Sequence, residues 1–185
     1  MIMNEDERQA FHLLLGIAVI ALLQSLGIET TAYLVGAVLV LGLLAVHLRH
    51  SGISICVLDA FIARFERPGV MAGYGAMTYA AATLAILTLL ANKEQMIASM
   101  IVLGVGDAAS TVIGRRSKRK LPYNRRKTYG GSAAFFLCSL PSVYFAGLAA
   151  VPVCALAAIA ESLESNIDDN LIVAVVCVVA FRLLG

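Results

Sequence analysis

Charge is scarce in this chain. Only 14% of its 185 residues are Asp, Glu, Lys or Arg, while 60% are hydrophobic, against about 25% and 45–50% in an ordinary soluble domain. So little charge cannot cover so much apolar surface, which excludes a soluble globular core. The four cysteines, Cys56, Cys138, Cys154 and Cys177, lack the close spacing of a thiolate metal site and read as packed thiols. The N-terminus carries Glu5, Asp6 and Glu7 in place of the basic start of a secretory signal, and no small-residue cleavage pattern closes the first apolar run. That run reads as a retained helix. With no internal repeat, low-complexity tract or long linker, residues 1–185 read as a single integral membrane domain.

What the chain does have is a series of uncharged stretches of membrane-spanning length. A helix needs roughly 20 mainly apolar residues to cross the hydrocarbon core. Gln9 to Ile28, Thr30 to Leu48, Pro68 to Asn92, and Gln95 to Gly114 apart from Asp107 each meet that requirement. Thr128 to Ala160 is too long for one crossing, and its Pro141, Gly147 and Pro152 predict a tight hairpin of two short helices. Leu171 onward supplies a short last helix. Between the second and third stretches, Val57, Leu58, Phe61, Ile62 and Phe65 recur at helical spacing within Cys56–Glu66, as in an interfacial amphipathic helix. The expected fold is therefore an all-α, polytopic bundle of about seven short transmembrane helices plus one cytoplasmic amphipathic helix.

The charges that remain are unevenly placed. Arg115 to Lys127 holds eight of the fourteen basic residues, and cytoplasmic flanks are enriched in Lys and Arg. Counting crossings from that loop puts Arg8, the Arg49–Arg67 loop and the acidic segment Glu161–Asp169 on the same, cytoplasmic side. Twelve of fourteen basic residues then lie inside, with Lys93 and Arg182 outside. A single crossing by Thr128–Ala160 would separate the acidic segment from the basic loop, so the hairpin decides whether the two can cooperate.

Three polar clusters carry possible chemistry. Asp107 stands in an apolar run about two turns before the basic loop, where ionisation costs at least a few kcal/mol unless a cation or water compensates. It reads as a functional acid or as a hydrogen-bonded packing residue, and the small residues around it suit close helix contact. The basic loop ends in Arg125-Arg126-Lys127-Thr128-Tyr129-Gly130-Gly131-Ser132, where cations meet a glycine pair at a helix start. Exposed amides and nearby cations there suit phosphate, although the Walker A order is absent, and an anionic-lipid contact would use the same charges. The third cluster, Glu161 to Asn170, gathers four carboxylates. It suits magnesium, which prefers oxygen ligands, or forms a solvated loop in which Asp168 or Asp169 caps the last helix. Arg8 and His12 lie one turn apart at the start of the first helix, and Arg67 precedes Pro68-Gly69; on the shared side each could approach a phosphate.

Together these motifs resemble the CTP-dependent polyprenol kinases, the group containing dolichol kinase, phytol kinase and the CTP-using diacylglycerol kinases. The resemblance runs over nearly the whole chain. It centres on Gly106-Asp107-Ala-Ala-x-x-x-x-Gly114-Arg115-Arg116 followed by Lys127-Thr128-x-x-Gly131-Ser132, which is similar to that family's nucleotide-binding signature. Arg8-x-x-x-His12-x-x-x-Gly16 and Glu161 with Asp168-Asp169-Asn170-Leu171 are similar to its first helix and its acidic motif. Gly130 stands where the family usually has Glu, Ser117-Lys118 where it often has an aromatic-Gly pair, and Ala174 where Pro is common.

The resemblance implies transfer of the terminal phosphate of CTP to the hydroxyl of a polyprenol, such as dolichol, or of a diradylglycerol, with Mg2+ as cofactor and no nucleic-acid partner. It implies that Asp107, Asp168 and Asp169 hold the metal and that Asp107 is catalytic. Arg115, Arg116, Lys127, Thr128, Gly130, Gly131 and Ser132 would bind the nucleotide, supported by Arg8, His12, Arg67, Glu161 and Asn170, with Glu161 or Glu164 taking the place of the missing Glu. The competing expectations are a CTP-dependent cytidylyltransferase acting on a lipid phosphate and a non-catalytic transporter or scaffold.

Overall fold

The structure, a computed structural model, describes residues 5–53 and 73–184. Within them the chain is all-helical: α1 (Glu5–Ser25), α2 (Ile28–His50), α3 (Tyr74–Leu89), α4 (Lys93–Arg116), α5 (Tyr129–Ser162) and α6 (Asp169–Leu184). Four of these, α1, α2, α4 and α5, are long and apolar enough to cross a membrane. The number of continuous helical runs among the described residues is six rather than the expected seven. The expected amphipathic helix at Cys56–Glu66 and Arg67 lie outside the described residues.

The count falls because Thr128–Ala160 stays helical through its bend. A first arm, Tyr129–Ser139, passes through a 3-10 turn at Leu140–Ser142, a short helical stretch at Val143–Ala146 and a second 3-10 turn at Gly147–Ala149 into a second arm, Ala150–Ser162. Pro141 opens the first 3-10 turn, and Gly147, at φ 64°, reverses the chain in a conformation that costs a residue with a Cβ more than glycine. The arms then pack side by side. Cys154 on the second arm lies 3.3 Å from the hydroxyl of Ser142 and 3.5 Å from the carbonyl of Ser139, which its thiol approaches as a donor. Both ends of α5 therefore return to one end of the bundle, together with the start of α6. At the opposite end, Arg182 Nε donates to the carbonyl of Leu89 over 2.7 Å, tying the last turn of α6 to the end of α3.

Helix α4 is the most enclosed of the four long apolar helices. Its neighbours approach it through positions without bulky side chains, as expected where lipid gives no hydrophobic drive between helices. A Cβ on Gly16 of α1 would stand 3.8 Å from Gly104 Cα, and one on Gly131 of α5 would stand 2.9 Å from the carbonyl oxygen of Ser110 and 3.2 Å from Gly114 Cα. Gly106, Ser110 and Gly114 recur every four residues and form the stripe that α5 lies on. Val102–Gly106 winds as a π-helical turn, a wide turn frequent at functional sites, and Asp107 begins the α-helix that follows.

Candidate functional site: a three-carboxylate cluster beside a capped helix start

Three helix ends and the middle of a fourth element build one polar site. Asp107 comes from the middle of α4, Glu161 from the last turn of α5, Asp169 from the first turn of α6, and Lys127 from the residue before the α5 cap. One carboxylate oxygen from each of Asp107, Glu161 and Asp169 lies within 4.8 Å of the other two. Glu161 is 2% exposed, whereas Asp107 and Asp169 are partly open to the pocket.

A buried carboxylate needs compensating partners, and Glu161 has two. Ser110 Oγ donates to its Oε1 over 3.0 Å, and Lys127 Nζ binds the same oxygen. The Lys127 ammonium also donates to Asp169 Oδ2 over 2.7 Å, so one cation serves two of the three acids. Burial works against charge on Lys127, but the carboxylates of Glu161 and Asp169 more than offset it and hold the amine above the ordinary lysine range.

The basic loop is held in place by its own backbone. Leu121 N donates to the carbonyl of Lys127 and Tyr129 N to that of Arg119, closing Arg119–Tyr129 into a tight reversal. Asn124 Nδ2 donates to the carbonyl of Ser162 over 3.1 Å and anchors this loop to the end of α5. Thr128 then caps α5: its Oγ1 accepts from Gly131 N over 3.1 Å, the arrangement by which a threonine satisfies a helix's open amides. The guanidinium of Arg119 stacks over the Tyr129 ring at 4.8 Å from its centre.

Between these elements lies a cavity of about 420 Å3, within the usual range for small-molecule sites. Asp107, Glu161 and Asp169 form one side, and Arg8, Arg115, Lys127, Thr128, Gly131 and Ser132 line it with Asp168 and Asn170. Three expected residues stand apart from this lining. His12 is buried edge-on against Tyr79, ring centres 4.9 Å apart, and its carbonyl accepts the Tyr79 hydroxyl over 3.3 Å. Arg116 projects from the exposed end of α4, and Gly130 packs on Ser117, where a Cβ would meet the serine Cβ at 2.9 Å.

The acids also exchange parts. Asp168, which lines the cavity, accepts from Asn170 N over 3.0 Å and Asn170 Nδ2 over 2.8 Å through its Oδ1, the alternative capping role weighed for it. Glu161, expected in support, is the third member of the cluster. Ser110, Asn124 and Glu164 also line the cavity. Of these, Ser110 was legible only as a small packing residue, and Asn124 had no local pattern to mark it.

No protein-family model matches the chain, and no solved structure matches it. A stretch of 102 residues is 35% identical to an uncharacterized protein of Methanocaldococcus jannaschii, covering 54% of this chain and 53% of that protein. The chain therefore spans about half the length of the curated relative it matches.

Proposed function

We propose that the protein is a lipid-alcohol kinase that moves the terminal phosphoryl group of CTP to the hydroxyl of a membrane polyprenol or diradylglycerol. The observation that carries this reading is the meeting of Asp107, Glu161 and Asp169, within 4.8 Å of one another, beside Lys127 at the capped start of α5. Phosphoryl transfer depends mainly on positioning and on neutralising charge over the phosphate oxygens. This pocket brings the three acids together with Lys127, Arg8 and Arg115 at one end of the bundle.

The three carboxylates are a hard oxygen donor set of the kind Mg2+ accepts. Asp107, Glu161 and Asp169 would hold it, and the bound ion would neutralise charge on the phosphates. Lys127, Arg115 and Arg8 would bind phosphate oxygens, and the Thr128 cap would keep the first turn of α5 in position beside them. Asp107, which reaches the cavity from within the apolar span of α4, would take the proton of the lipid hydroxyl as its oxygen bonds to the terminal phosphorus and CDP leaves. The positive-inside rule puts this face in the cytoplasm.

The test is incubation of the detergent-purified protein with magnesium, terminally labelled CTP or ATP, and a panel of polyprenols and diradylglycerols, followed by lipid extraction. Terminal label in the lipid phase is the expected result and identifies donor and acceptor. Release of pyrophosphate, with cytidine left on a lipid phosphate, would replace the kinase reading with cytidylyl transfer. Absence of CTP binding would replace it with a transporter or scaffold.

A further inference from the structure

Lys127 is in an unusual position for a phosphate-binding residue, because its ammonium already has two partners. It is bonded to Glu161 and, over 2.7 Å, to Asp169. Those are two of the three acids whose oxygens converge within 4.8 Å, so an ammonium already neutralises carboxylates that a divalent ion would need. An ammonium and a metal ion repel each other and compete for the charge of the same carboxylates, so each weakens the hold of the other.

The same cavity offers the amine another destination. Arg8, Arg115 and the first turn of α5 line it, and there Ser132 Oγ is closed off from solvent with no hydrogen-bond partner among the described residues. Buried hydroxyls ordinarily have a hydrogen-bond partner, so this one has capacity for a polar group beside it. The lysine stem is long and flexible, with three donors that follow whichever anion is nearer.

We propose that Lys127 acts as an exchangeable counter-ion of the Asp107–Glu161–Asp169 cluster: polyphosphate draws its ammonium off the acids, and the vacated oxygens then take the divalent ion. Metal and polyphosphate consequently bind with positive coupling, each favouring the arrangement of Lys127 that the other needs. Metal by itself binds weakly, which keeps the acids from being locked by an ion before a phosphate donor arrives. This inference rests on the phosphoryl-transfer reading only for the identity of the polyphosphate.

The experiment is an electron paramagnetic resonance titration of Mn2+ alone into the full-length protein in detergent, for the wild type, Lys127→Met and Lys127→Arg. Removing the competing ammonium should tighten Mn2+ binding about tenfold, within the range usual for linked sites, while Lys127→Arg should stay near the wild type. Equal or weaker binding by Lys127→Met, or no Mn2+ bound by any of the three, overturns the proposal. If Lys127→Met does not fold, the wild type decides by mass spectrometry of amine acylation. Saturating Mn2+ should then raise acylation of Lys127 several-fold relative to the exposed Lys118, and an unchanged ratio overturns the proposal. Labelled lipid from the wild type with no Lys127 effect on Mn2+ would remove this inference and leave the kinase reading. Tighter Mn2+ binding by the variant with no lipid phosphorylated would do the reverse.

Discussion

Ser110 donates its hydroxyl hydrogen to Glu161 Oε1 over 3.0 Å, joining the middle of α4 to the last turn of α5 across 51 residues of sequence. Because Glu161 is buried, this bond does more than position a side chain: it helps keep a carboxylate out of water. Replacing Ser110 by Ala should destabilise the protein by about 1–2 kcal/mol, the cost of leaving a charged acceptor short of one partner. A thermal-shift measurement in detergent checks this, and an unchanged midpoint would show that water replaces the hydroxyl.

Asp107 tests the proposed chemistry most directly. Its carboxylate is part of the cluster while its backbone lies in an apolar span. Asp107→Asn keeps the shape and removes the charge, so lipid phosphorylation should fall by at least about a thousandfold, in line with loss of a positioned acid or base together with a charge-stabilising group. Helix content and elution volume should match the wild type. Normal turnover would exclude Asp107 from the reaction.

Lys127→Met removes the only lysine bonded to the cluster among the described residues and leaves Glu161 buried with less compensation. The expected loss is about 2 kcal/mol, below the cost of breaking a fully buried pair because a quarter of the Lys127 side chain meets solvent. The amine is held above its ordinary value, so its stabilising contribution is complete below about pH 10 and fades only as pH rises through the higher folded value. The gap between wild-type and variant unfolding midpoints should stay constant from neutral pH to about pH 10 and close above it. A gap that closed near neutral pH would contradict the pairing.

Gly131 is where α5 comes closest to α4. An added Cβ would press on the Ser110 carbonyl at 2.9 Å and on Gly114 Cα at 3.2 Å, both backbone atoms of a helix that cannot give locally. Gly131→Ala should therefore cost about 1–3 kcal/mol and lower activity along with stability, since the same displacement carries Lys127 and Thr128 away from the acids. Activity lost with no change in unfolding midpoint would point to a direct ligand contact instead.

Gly130 and Ser117 should be coupled. A Cβ at position 130 would meet the Ser117 Cβ and Oγ at 2.9 and 2.8 Å. Gly130→Ala is expected to cost about 1 kcal/mol, and Ser117→Gly in the same chain should recover most of it, an interaction energy that a double-mutant cycle measures. Strict additivity of the two substitutions would refute the coupling.

The sequence by itself determined the helical class and the bend in α5. Apolar stretches of spanning length admit only helices where no water can satisfy the backbone, and Pro141 and Gly147 marked the reversal before any tertiary contact was known. It also singled out Asp107, Lys127 and Glu161–Asn170, because charge in a chain so poor in it must be compensated. Only the tertiary structure decided which of these meet. Asp168 and Asp169 are adjacent in sequence and both line the cavity, yet at the start of a helix one caps the backbone and the other joins the three-acid cluster. Glu161 enters the cluster because the α5 hairpin returns its end to Lys127, and His12 stays out because its ring is packed on Tyr79. Sequence spacing sets which residues share a helix face; which helix ends converge is set by the glycine and serine contacts that bring α1, α4 and α5 together, and those depend on all the helices at once.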